Sequence, residues 1–155
     1  MAPCSINTAA KEDFRNLTTW MQDVAKIENI ANNTSKCVDK DRREKLLPFL
    51  NAQKYSGIKG HGYVVYRIKG KAEIGLTPKY RSLFFPLSIG SGKSQVEEGK
   101  DARGRDVIML TESENSASPP REMLNPGDYI HFTRALVLDA HLDCLIVLLP
   151  ETDAE

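Results

Sequence analysis

The sequence has no excess of charge of either sign: 21 Lys and Arg balance 21 Asp and Glu in 155 residues. A dedicated nucleic-acid binder usually carries a basic surplus that neutralises phosphates, so the balance argues against that class and leaves room only for a local patch. Long apolar runs are missing as well. The longest, residues 144–149, has the length of a strand and falls far short of the roughly 18 residues a membrane-crossing helix needs. The first residues show no charged segment followed by an apolar one, so no secretory leader is expected. Cysteine is scarce: Cys4, Cys37 and Cys144, with no CxxC pair. That unpaired set suits free thiols in a reducing, intracellular compartment. Histidines and cysteines lie scattered without ligand spacing, so neither a metal nor another cofactor is expected.

What is present is an ordinary globular composition, 41% apolar and 27% charged, which can bury a core. The length fits a single domain over residues 1–155. Its first part, about 8–52, reads as helical. Phe14, Leu17, Trp20, Met21, Val24, Ile27 and Ala31 recur at spacings of three and four, the stripe of an amphipathic helix. Thr8 is placed to cap its start and Asn32-Asn33 to stop it. Asp39 is placed to cap a second helix that Pro48 kinks or ends.

From residue 62 to about 150 the pattern changes to β. Residues 63–68 form an apolar strand with Arg67 inserted in one face. Lys69, Gly70 and Lys71 read as a tight turn returning residues 72–76 as a hairpin. Further strands are expected at 83–87, 107–110, 129–138 and 144–149, with Pro86 forcing an edge or a bulge. Two stretches, 90–105 and 111–126, read as long loops. The expected fold is therefore α+β: an N-terminal two-helix region packed on a mainly antiparallel five- or six-stranded sheet or small open barrel.

Several clusters could carry chemistry. Gly90-Ser91-Gly92-Lys93-Ser94 looks like the end of a phosphate-binding loop, but its earlier glycine is Leu87 and a flexible loop with Lys93 is the plainer reading. His131 and Thr133 share a strand face, half of a paired phosphoesterase motif. Glu112 and Glu114 could form an acidic pair. Tyr63, Tyr66, Arg67, Lys69, Lys71, Lys79, Tyr80 and Arg81 make a basic, aromatic stretch. Such a surface can stack bases of single-stranded nucleic acid, or serve a protein interface.

Gly60-His61-Gly62-Tyr63 followed by the expected turn and Glu73 resembles the strand pair of papain-like NlpC/P60 amidases, over this hairpin only. The resemblance implies a cysteine hydrolase in which His61 is the base, Glu73 orients it, and Cys4 or Cys37 is the nucleophile.

No catalytic set is complete. The expectation is therefore a non-catalytic protein-protein binding or assembly module, acting through an exposed sheet edge and the two long loops. Its partners would be another protein, a second copy of the chain or, less readily, nucleic acid, and not a membrane. The cysteine hydrolase and the single-stranded nucleic-acid binder stand as alternatives.

Overall fold

The computed structural model describes residues 3–90, 92–112 and 122–151. Strand β1 (Cys4–Ser5) and a 3-10 turn (Thr8–Ala10) precede helix α1 (Lys11–Asp23). A hairpin follows, β2 (Ile27–Ala31) and β3 (Thr34–Cys37), and then helix α2 (Arg42–Ala52). The remaining strands are β4 (Gly62–Ile74), β5 (Tyr80–Ile89), β6 (Ser94–Lys100), β7 (Asp106–Glu112), β8 (Glu122–Met123), β9 (Asp128–Phe132) and β10 (Ala135–Pro150). All ten belong to one sheet, whose main path runs β1-β9-β5-β10-β4-β3-β2, with β7 and β6 continuing from β10. Every pairing is antiparallel except β7 with β10. None of the described helices is long and apolar enough to cross a membrane.

This corrects the expected architecture. The molecule is a ten-stranded, mostly antiparallel sheet, not a two-helix region on five or six strands. Helix α1 buries Phe14, Leu17, Trp20 and Met21 as its stripe requires, but it stops at Asp23. Ile27 and Ala31 belong to β2, and Val24 is exposed. The reason lies in Asn32 and Asn33. They form the turn of a hairpin and not a helix stop, with Asn33 at φ 62 and Ala31 opposite Thr34.

The supposed turn at Lys69, Gly70 and Lys71 is continuous strand. β4 pairs with β10 from Gly62 opposite Leu148 to Ile74 opposite Leu136. Gly70 is needed there for a close approach. Its φ is 128, and a Cβ on it would lie 3.3 Å from the Asn33 amide nitrogen. That amide donates to the Lys71 carbonyl at 3.0 Å, and Lys69 N–H donates to the Asn33 carbonyl at 2.8 Å. The stretch 90–105, expected as a loop, contains β6. Of the stretch 111–126, residues 113–121 lie outside those described, and Glu122–Met123 form strand β8.

A straight β4, 13 residues long, would reach about 40 Å. Yet the link 75–79, which spans at most roughly 20 Å, returns the chain to Tyr80, opposite Pro150 at the far end of β10. The β4–β10 ribbon must therefore curl on itself. Side-chain alternation then gives it two faces. Val65, Leu83, Phe85, Leu145 and Val147 pack against α1 and α2. Ile68, Phe84, Leu138, Cys144 and Ile146 fill a second core on the opposite face, shared with β6, β7 and β9.

Candidate functional site

The middle of the ribbon carries a polar row that crosses three neighbouring strands. Asp143 on β10 lies opposite Arg67 on β4 and opposite Ser88 on β5. Pro86, with no N–H to give, sits beside the register shift that lets Ser88 meet Asp143. Arg67 Nε donates to Asp143 Oδ1 at 2.7 Å and Nη2 donates to Oδ2 at 3.2 Å. Nη2 also donates to the Met21 carbonyl at 3.0 Å. Helix α1 has no basic residue in its last turn, so Arg67 supplies the cation that the helix's C-terminal end favours. Ser88 Oγ lies 3.5 Å from Asp143 Oδ2. Asp143 is 5% exposed, whereas the Arg67 side chain keeps 28% of its surface. The carboxylate raises the pKa of Arg67 further, so the guanidinium stays charged.

An open cleft of about 540 Å³ lies over this row. Its polar wall consists of Gln22 at the end of α1, Arg67, Lys69, Ser88, His141 and Asp143. The His141 backbone N–H donates to Glu112 Oε1, whose carboxylate lies 3.8 Å from His141 Nδ1. Arg67 Nη1 has no hydrogen bond to any described residue, and the Lys69 ammonium has no ion pair among them. No group of His, Cys, Asp and Glu among the described residues is arranged to hold a metal ion.

Of the residues singled out from the sequence, Arg67 and Lys69 reach this cleft and the others scatter. His61 and Glu73 lie beyond one end and near the other end of β4, so no hairpin brings them together. His61 Nδ1 contacts the Ile58 carbonyl at 2.8 Å, and Glu73 pairs with Arg105 at 3.1 Å. Cys4 is exposed on β1. Cys37 is buried and its thiol is pushed up by that burial, the reverse of an activated nucleophile. The hydrolase reading falls with this geometry.

Tyr63 packs on the helix side of β4 and Tyr66 on the other, so no common stacking platform for bases exists. Lys71 is exposed further along β4. Lys79, at φ 69, Tyr80 and Arg81 stand at the start of β5, roughly 25 Å of strand from Ser88. His131 is exposed on β9 and Thr133 lies just beyond it. Ser94 opens β6 and no helix follows Lys93, so nothing there makes a phosphate-binding loop. Glu114 lies outside the described residues.

The sequence reading missed Ser88 and Gln22. The usable signal was the pair of charges, Arg67 interrupting one apolar stretch and Asp143 bordering another.

No protein-family model matches the sequence. No curated protein matches it either. Among solved structures, the chain is similar to KdgF from Halomonas sp., with a TM-score of 0.41 and 11% identity over 84% of this chain and 93% of that one. It is also similar to an oxalate decarboxylase formate complex from Lactobacillus farciminis, with a TM-score of 0.40 and 16% identity over 99% of this chain and 34% of that one. A third is an RmlC-like cupin from Shewanella frigidimarina, with a TM-score of 0.34, 11% identity and coverage of 85% and 88%.

The expected non-catalytic binding or assembly module is overturned. One of the two loops that were to carry the interface contains strand β6.

Proposed function

We propose that the chain binds a small polar molecule rich in hydrogen-bond acceptors, a carboxylic acid above all, in the cleft over Arg67 and Asp143. The observation that supports this is the direction of the hydrogen-bonding capacity left over. Asp143 already accepts from Arg67 through both oxygens. What remains for a ligand is chiefly donor: Arg67 Nη1, the Lys69 ammonium and the Gln22 amide nitrogen. A guanidinium held rigidly on one edge is pre-oriented to take a carboxylate on another. Half-burial strengthens that contact compared with a fully exposed lysine. An open concavity with convergent polar groups is also where a small-molecule site is expected on physical grounds.

The scarcity of cysteine, with Cys37 and Cys144 buried and in no disulfide, supports an intracellular, reducing setting for this activity.

Titration calorimetry with acetate and succinate tests the reading. Saturable binding of at least one is expected. Lys69→Met should weaken it by about tenfold, the scale of one charged hydrogen bond, while leaving the fold intact because Lys69 is exposed. Absence of saturable heat for both acids, or binding indifferent to Lys69→Met and Ser88→Ala together, contradicts it.

A further inference from the structure

The curl of the β4–β10 ribbon encloses a second concavity on the face opposite the Arg67 cleft. It is a slot of about 320 Å³. Its floor is Val64 and Tyr66 of β4 with Ile146 and Leu148 of β10, all on the face of the second core. The link 75–79 crosses its mouth and contributes Gly75 and Thr77. The lining mixes apolar residues with Thr34 and Glu73. Ile30 on β2 belongs to it and is 51% exposed, and Leu76, between Gly75 and Thr77, is 48% exposed.

One polar atom in this setting has no partner. Ser82, on β5 between Leu148 and Phe132 of the neighbouring strands, lines the slot and is 2% exposed. Its hydroxyl is buried and makes no hydrogen bond with the described residues. A buried hydroxyl without a partner is unfavourable, and each such group in a folded protein calls for an explanation. A ligand seated in the slot would complete the Ser82 hydroxyl. The charge at the rim limits what that ligand is: Glu73 lines the slot and is compensated by Arg105 at 3.1 Å, so no uncommitted cation awaits an anion.

We propose that the slot is a binding site separate from the cleft. It takes a small neutral molecule with a flat apolar body and a single hydrogen-bonding group that meets Ser82 Oγ, a phenol or an aromatic ketone in chemical class. The apolar body fills the space between Tyr66, Val64, Ile146 and Leu148, and the polar group completes the serine.

The test uses the full chain with two probes of equal shape, 2-naphthol and naphthalene. Both should bind saturably, and both should shift the methyl signals of Val64, Ile146 and Leu148. 2-Naphthol should bind more tightly. Ser82→Ala removes a group that has no partner to lose, so it should fold normally. It should weaken 2-naphthol by about fivefold and leave naphthalene unchanged. Val64→Phe, which fills the slot, should abolish both, and Lys69→Met in the cleft should alter neither. Failure of both probes to bind saturably up to their solubility limits overturns the proposal. So does an equal response of the two probes to Ser82→Ala, or methyl shifts confined to residues outside the slot. Because the probes carry no charge, these outcomes are independent of whether carboxylates bind over Arg67.

Discussion

Arg67 and Asp143 each interrupt or border an apolar stretch, residues 63–68 of β4 and 144–149 of β10, and each is tolerable only because the other is there. Removing one partner leaves a charge that folding has largely taken out of water. Asp143→Leu should therefore cost about 2–3 kcal/mol in urea unfolding, less than a fully buried pair because the Arg67 side chain retains 28% exposure. The double variant Arg67→Met with Asp143→Leu should recover most of that loss, since apolar replacement of a buried pair is often neutral. If stability recovers while succinate no longer binds, the pair is retained for its chemistry and not for the fold. Asp39 gives a pH-dependent counterpart. Its carboxylate accepts the backbone N–H groups of Asp41 and Lys26, each at 2.9 Å, and these lower its pKa, the Asp41 contact most. A carboxyl lowered on folding stabilises above the usual carboxylate range and loses that contribution as pH falls through the lowered value. The stability difference between the wild type and Asp39→Ala should accordingly shrink on acidification. A difference that grows towards low pH would reverse the sign.

At the scale of elements, the legible and the illegible part company over period and contact. The stripe of Phe14, Leu17, Trp20 and Met21 was readable because helical burial repeats along the chain. Its end was not, because the stripe's last members, Ile27 and Ala31, fit either a helix or a strand, and the hairpin was decided by Asn33 adopting a left-handed backbone. Gly70 misled for the same reason. Between two lysines it reads as a turn, whereas its lack of a side chain serves the approach of Asn33 from the neighbouring hairpin, a contact that no local pattern encodes. Gly70→Ala must both strain the backbone at φ 128 and press on the Asn33 amide at 3.3 Å. It should lower stability by about 1–3 kcal/mol in urea unfolding. A Gly70→Ala variant as stable as the wild type would return that position to an ordinary turn. Of the candidate site, Arg67 and Lys69 were legible as charges out of place. Ser88 and Gln22 were not, because strand pairing across a bulge and the end of α1 bring them in.

For the whole molecule, the ribbon of β4 and β10 does two things at once. It separates a helix-covered core from a strand-covered core, and by curling it shapes a concavity on each face. Adjacent residues of β5 report on this directly. Phe85 packs on the helix side, stacked on Tyr129 with ring centroids 4.7 Å apart, and Phe84 is fully buried on the other. Each change to alanine should cost about 3–5 kcal/mol in unfolding experiments. A sheet with one wetted face would show a large loss at only one of them. The two cores were beyond reach of sequence reading, because runs such as residues 144–149 are apolar on both faces and carry no period.

The cleft over Arg67 is the centre of this account, and a succinate titration followed by nitrogen–proton correlation spectroscopy tests it most directly. Binding in the cleft predicts that the Arg67 Nε–H signal and the backbone signals of Ser88, Gly90 and His141 move together along a single saturation curve. The Lys69→Met variant should need about tenfold more succinate for the same shifts. Succinate that moves none of these signals, or moves only those of exposed lysines elsewhere without saturating, would contradict the proposed function.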